Sequence, residues 1–183
     1  LTTSKIHLRL HSPSVPNLAF VDLPGITMTA LTSEGQPSDI CEKIRTLISS
    51  YVGARTVVLL VCAARPDLEA DAALNLVKQL NDGARTIGCL TKADLCENLA
   101  GIEPYLTGHA CRDLALEHGY FAVCTRNCQQ PHDTSPPGPA CDDAFFRTTL
   151  LHGFANVGMR ALSQRIYELN ASHIRGLLPS LRG

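Results

Sequence analysis

Three short apolar runs, at residues 57–62, 86–90 and 120–124, recur along the chain with helical patterns between them. The 57–62 run is rich in β-branched residues and continuous rather than alternating, as a parallel strand covered on both faces must be. Parallel strands cannot be joined by tight hairpins; each needs a crossover connection, usually a helix. The intervening sequence offers such helices at 70–80, stopped by Asn81-Asp82-Gly83, and at 106–118, stopped by Gly119. This alternation predicts an α/β fold with a mainly parallel sheet and helices on both faces.

The flanks carry weaker patterns. Ile6, Leu8 and Leu10 alternate with polar residues and predict a strand over 5–10; a second is expected over 18–22, close enough to pair as a hairpin. Ile40, Ile44, Leu47, Ile48 and Tyr51 mark one face of a helix over 39–51, with Ser38 available to cap it. The Pro-rich stretch 129–140 reads as a surface loop. A short helix is expected over 143–151. A long one is expected over 159–178, with Leu162, Ile166, Leu169 and Leu177 on one face and Pro179 ending it.

Composition excludes some functions. Lys plus Arg is 16 and Asp plus Glu is 17, a net charge of -1. No nucleic acid or anionic surface is recruited by that bulk balance. The longest apolar run, 57–64, falls well short of the ~20 residues of a membrane span. The first residues have neither a signal-peptide core nor an initiator Met, so the chain is expected to be part of a longer, cytoplasmic protein. The 8 cysteines are read as reduced thiols. Cys124, Cys128, His132 and Cys141 match none of the usual zinc spacings.

In a parallel α/β sheet, ligands bind beyond the carboxyl ends of the strands, and three motifs fall there. Asp22-Leu23-Pro24-Gly25 follows the run 18–22; the Asp could hold a water of a Mg²⁺ shell, and the Gly lets a backbone N–H approach a terminal phosphate. Thr91-Lys92-Ala93-Asp94 follows the run 86–90. A carboxylate there can accept from both the ring N–H and the exocyclic amine of guanine, while the Lys stem covers the ring face. Thr125-Arg126-Asn127 follows the third run and could touch base or ribose, or be an ordinary polar loop.

These residues resemble the GTPase domain of the dynamin superfamily. The similarity is carried by 5–10, by Pro16-Asn17-Leu18, by Val21-Asp22-Leu23-Pro24-Gly25-Ile26-Thr27 and by Gly35-Gln36-Pro37-Ser38-Asp39-Ile40. It continues through 85–92, Gly119-Tyr120 and His173-Ile174-Arg175-Gly176-Leu177-Leu178-Pro179. The G-Q-P-x-D-I and H-I-R-x-x-L-P stretches are not general GTPase features and make the resemblance specific. It implies a P-loop GTPase-like fold that binds and hydrolyses GTP with Mg²⁺, dimerises through its nucleotide face and remodels membranes as a peripheral protein. By similarity Asp22 and Gly25 serve magnesium, through water, and the γ-phosphate. Thr91, Lys92 and Asp94 read guanine, Thr125 and Arg126 close the base pocket, and Asp67 lies in the dimer-contact loop. Residues 1–172 correspond to part of the GTPase domain, and 173–183 to the start of its exit helix. Membrane contacts, and any to the cytoskeleton, are implied for regions outside this chain.

Several features depart from the family pattern. No G-x-x-x-x-G-K-[S/T] occurs, so the phosphate loop and the strand before it are absent from this sequence. The 183 residues alone are therefore expected to be inactive and, with an unfilled slot in the sheet, aggregation-prone. Met28 stands where a basic residue is usual, the second-switch stretch 26–34 is about two residues longer than usual, and Thr125 and Asn75 replace a usual Asn and Lys. The alternative reading is a non-enzymatic relic or truncated isoform that acts as an interaction module. His7, His11, His109, His118, His152 and His173 have no partner at catalytic spacing.

Overall fold

The computed structural model describes residues 5–13, 17–53, 56–81, 83–125 and 139–177. It divides into two compact units, Leu1–Tyr51 and Val52–Gly183.

The second unit holds the sheet: β1 (Val58–Ala63), β2 (Thr86–Thr91) and β3 (Tyr120–Ala122), all parallel, in the order β1-β2-β3. The three apolar runs are thus the three strands, and the mainly parallel sheet is as the sequence predicts. Helix α2 (Ala72–Asn81) is the crossover between β1 and β2, and packs with Leu60, Cys62, Leu90, Tyr120 and Ala122 on one face. Helix α5 (Met159–Leu177) covers Ile87, Cys89, Phe121 and Val123 on the other, through Leu162, Ile166 and Leu169. Central strand β2 is buried from Thr86 to Leu90, as its unbroken apolar pattern requires. Gly88 lets it pass Tyr120: a Cβ there would sit 2.3 Å from the ring's Cδ1. The outer edge of β1 has no partner among the described residues, and Val61 is exposed there.

Helix α2 starts at Ala72 rather than residue 70 because Asp71 caps it, its carboxylate accepting from the N–H groups of Ala73 (2.9 Å) and Leu74 (3.1 Å). Such a cap is worth about 1 kcal/mol.

The helix expected over 106–118 does not form. The chain makes only α3 (Glu103–Leu106) before Gly108, at φ +73, ends it. Ala110 N–H bonds the Pro104 carbonyl at 2.9 Å across that turn. The apolar residues beyond serve other purposes. Leu116 enters the core, and the Leu114 carbonyl accepts the Tyr120 hydroxyl at 2.6 Å. The helix expected over 143–151 lies earlier, as α4 (Pro139–Arg147). Proline suits a first helical position, where its missing N–H has no partner to lose.

In the first unit α1 (Ile40–Tyr51) forms as its periodicity predicts, with Ile40, Ile44 and Ile48 as the buried stripe. Lys43 N–H bonds the Asp39 carbonyl at 3.0 Å, which puts Asp39 rather than Ser38 at the cap position. The strands expected over 5–10 and 18–22 are absent. Both stretches are irregular, with Ile6 98% and Leu8 93% exposed. Alternation records a propensity for a half-buried face, but an isolated two-stranded hairpin is marginal without further strands or a helix to pack on. Among the described residues no helix is long and apolar enough to cross a membrane.

Candidate functional site

Because the strands are parallel, the segments leaving β1, β2 and β3 emerge at one edge of the sheet. The β2 exit is the most closely held. Thr91 ends the strand, and its hydroxyl donates to the Cys62 carbonyl on β1 at 3.1 Å. Its own carbonyl accepts from Ala64 N–H at 2.7 Å. The hydroxyl of Thr91 thus fixes the spacing of β1 and β2 at the site.

Lys92 follows with φ +57 and ψ +38, the left-handed region, where a side chain crowds the following carbonyl. Only Arg85 shares a positive φ among the described non-glycine residues. The left-handed step turns the chain out of the strand into a short 3-10 turn, Ala93–Leu95, and leaves the Lys92 side chain exposed. Ala93 N–H bonds the Val123 carbonyl at 3.3 Å, and Val123 N–H bonds the Leu90 carbonyl at 2.8 Å, so the turn is tied to the end of β3. Asp94 is carried inward and is only 3% exposed.

The Asp94 carboxylate meets the thiol of Cys124, which is fully buried. Burial is the largest reason that the thiol is pushed far above its ordinary range; the Asp94 charge and its hydrogen bond add to the shift. A thiol so disfavoured as thiolate keeps its proton and acts as a donor toward the carboxylate. Thr125, the next residue, is exposed at this edge. Arg126 and Asn127, with Cys128 and His132 of the weak cysteine cluster, lie outside the described residues.

Asp67 sits in the segment leaving β1, with an exposed side chain. Arg65 lies beside it at 3.9 Å and also reaches Asp71 at 3.4 Å, so the guanidinium bridges the loop and the cap of α2. The Tyr105 hydroxyl donates to the Pro66 carbonyl at 2.7 Å and pins the same loop. Asn75, at the position of the usual Lys, donates to the Glu69 carbonyl at 3.0 Å.

Asp22 and Gly25 belong to the first unit, and both are exposed. A Cβ on Gly25 would meet nothing within 4 Å, so no packing contact of the chain itself demands a glycine there. Beyond them Gln36 closes the 31–36 loop: its side-chain oxygen accepts from Leu31 N–H at 3.0 Å and its N–H bonds the Leu31 carbonyl at 3.2 Å. Gly35 at φ +80 makes that reversal possible. The Gly-Gln pair in the family-like stretch thus has a local structural reason.

Asp142, which the sequence reading placed just outside a helix, is a fully buried carboxylate at this end of the fold. It accepts from Cys124 N–H at 2.6 Å and from Met159 N–H at the start of α5. Burial pushes its pKa up, against those two bonds. One signal was available: Asp142, Phe145 and Phe146 stand at i, i+3 and i+4, so an acid shares the apolar face of α4. Among the described residues no group of three or more His, Cys, Asp or Glu side chains could hold a metal. Asp22 is a single exposed carboxylate, the ligand type that Mg²⁺ takes where waters and substrate phosphates supply the rest of its shell.

Comparison with known proteins agrees with this arrangement. A family model described as "Dynamin family" matches residues 2–93. Dynamin-related protein 3A of Arabidopsis thaliana is 35% identical over 186 residues, covering 98% of this chain and 22% of its own length. Dynamin-B of Dictyostelium discoideum is 32% identical over 188 residues, covering 100% of this chain and 20% of its own. Interferon-induced GTP-binding protein Mx1 of Equus caballus is 34% identical over 188 residues, covering 96% and 27%. The chain thus spans about a quarter or less of the relatives it matches. With a parallel sheet between helices and a family match over half its length, this chain belongs to the dynamin family and has the P-loop GTPase-like α/β fold.

Proposed function

We propose that this chain is the guanine-reading part of a GTP-hydrolysing protein that remodels membranes as a peripheral, self-associating assembly. The observation that carries the reading is the turn after β2. A Lys held in the left-handed region and a buried Asp sit together at the carboxyl end of the central strand. Backbone strain of this kind persists where the surrounding structure holds it, and it clusters at binding sites. In the proposed complex Asp94 accepts from the ring N–H and exocyclic amine of guanine. The Lys92 stem lies on the ring face, Thr91 fixes the strand end, and Thr125 and Arg126 close the pocket. A planar bidentate contact of this type rejects adenine, which cannot supply both donors.

In the first unit, Asp22 would hold Mg²⁺ through a water, and the backbone N–H of Gly25 would face the γ-phosphate. Bound Mg²⁺ would supply charge neutralisation on the phosphates. Asp67 would contribute to the contact between two copies of the domain. The horse relative is named as an interferon-induced GTP-binding protein, which supports GTP as the ligand.

The test is nucleotide titration of the full-length protein, wild type and Asp94→Asn. The wild type is expected to bind GTP and not ATP. The Asn variant presents an amide N–H where the carboxylate was, so it should lose GTP affinity by 100-fold or more, on the scale of buried polar discrimination. It should gain affinity for xanthosine triphosphate, which carries a carbonyl in place of the amine. Equal binding of ATP and GTP by the wild type, or an Asn variant with unchanged preference, would sink the reading.

A further inference from the structure

We propose that Asp142 is a positioning residue of the base-reading site, tying the end of β3 that supports Asp94 to the first turn of α5. The inference rests on the guanine-reading role of Asp94 argued above and adds a residue that touches no nucleotide.

Three observations carry it. First, the Asp142 carboxylate is 0% exposed and is divided between two segments far apart in sequence, with one oxygen on Cys124 N–H and the other on Met159 N–H. A buried carboxylate is costly unless hydrogen-bonded, so neither bond can be given up without penalty. Second, the residue it holds just past the end of β3 is Cys124, whose side chain lies against the Asp94 carboxylate. Shifting the Cys124 backbone therefore shifts the floor on which Asp94 rests. Third, the approach of Asp142 to α5 depends on Gly158. That residue has φ +93, and a Cβ there would stand 3.0 Å from the carboxylate oxygen. Gly158 N–H in turn bonds the Ala122 carbonyl at 2.8 Å, and Asn156 donates to the Tyr120 carbonyl at 2.7 Å. The start of α5 and the end of β3 are thus sewn together around one charge.

The experiment is the ratio of inosine triphosphate to GTP dissociation constants in the full-length protein. Inosine lacks only the exocyclic amine, so the ratio reads how well Asp94 is aimed and is insensitive to the fraction of protein folded. Wild type should favour GTP; a wild-type ratio near one overturns the Asp94 reading itself, before any variant is made. Asp142→Asn keeps the shape but sets an amide N–H against a backbone N–H, and it should reduce the ratio at least threefold. An Asn variant with lowered thermal stability and an unchanged ratio assigns Asp142 to folding alone and overturns the proposal. If that variant does not fold, Gly158→Ala decides the matter. Its Cβ would stand 3.0 Å from the Asp142 carboxylate oxygen and crowd it off the start of α5: a reduced ratio supports the proposal and an unchanged one overturns it.

Discussion

Replacing Lys92 separates backbone strain from side-chain function at a single position. Its φ of +57 and ψ of +38 lie in the left-handed region, which costs a residue with a Cβ roughly 1–2 kcal/mol. The side chain is exposed, so truncating it removes little packing. Lys92→Ala deletes the ammonium and stem but retains the Cβ, and hence the strain. Lys92→Gly deletes both. The glycine gains back the steric cost but adds unfolded-chain freedom worth about 0.4–1 kcal/mol. The difference between the two variants is therefore about 0.5–1 kcal/mol in favour of glycine. For a domain of this size that corresponds to a Tm about 1–4 °C higher.

The assay is thermal unfolding of the nucleotide-free full-length protein carrying either substitution, followed by GTP titration of each. Both variants should lose GTP affinity to a similar extent, because both lack the stem proposed to cover the base. Only the glycine variant should be more stable than the wild type. A glycine variant with a Tm equal to or below that of the alanine variant would refute the strain argument, whatever happens to binding. Equal GTP affinity in alanine variant and wild type would refute the role of the side chain and leave the strain without a purpose at this site.

Two further outcomes follow from the second unit. Gly88→Ala places a Cβ 2.3 Å from the Tyr120 ring and 3.0 Å from a Leu116 methyl, both in the core. Overpacking of this kind typically costs about 1–3 kcal/mol, so denaturant unfolding should show a clear fall in midpoint. Burial raises the Cys89 thiol to about 11 and the Cys62 thiol to about 12, while Cys111 is exposed. Alkylation of the native protein near pH 8 should label Cys111 and spare Cys62 and Cys89, as read by mass spectrometry of the digested chain. Labelling of the two buried thiols at the rate of Cys111 would show that the sheet opens.

What the sequence disclosed follows from which interactions are local. The three strands were legible because a parallel strand is buried on both faces, and continuous apolar runs such as 86–90 have few other uses. Helix α1 was legible from Ile40, Ile44 and Ile48, and α5 from Leu162, Ile166 and Leu169, since periodicity is a property of the segment alone. The failures came where a distant partner, or its lack, decides. Alternation at Ile6 and Leu8 promised a strand, but a strand exists only with a partner to pair with. The stretch 106–118 has helix-forming residues, yet Gly108 takes the left-handed conformation and Tyr120 claims the Leu114 carbonyl from six residues away. Asp142 shows the same limit at the site. Its position on an apolar face marked it as unusual, but not that its two partners would lie 18 and 17 residues away on opposite sides in sequence.

In the proposed guanine contact the four residues of the Thr-Lys-x-Asp motif would divide their duties between holding and reading. Thr91 gives its hydroxyl to the neighbouring strand and its carbonyl to Ala64, so the end of β2 cannot drift from β1. Ala93 is fully buried and bonds the Val123 carbonyl, so the turn cannot drift from β3. Between them Lys92 takes up a strained conformation that only such anchoring on both sides can hold. A loop free to relax would bring Lys92 back to negative φ, and the direction of Asp94 would change with it. Rigidity at the carboxyl edge of the sheet is therefore the condition for reading a base by a two-bond contact, since a misdirected carboxylate accepts one hydrogen bond as easily from adenine's amine as from guanine's. On this argument the substitutions that should most damage selectivity without touching a nucleotide are those that loosen the turn's supports. Thr91→Val, which removes the hydroxyl bond to Cys62 but keeps the branched shape, should lower guanine-over-adenine preference more than it lowers stability. A net hydrogen bond is worth only about 1 kcal/mol to the fold. A Thr91→Val protein with full guanine preference would show that the strand end needs no such tie.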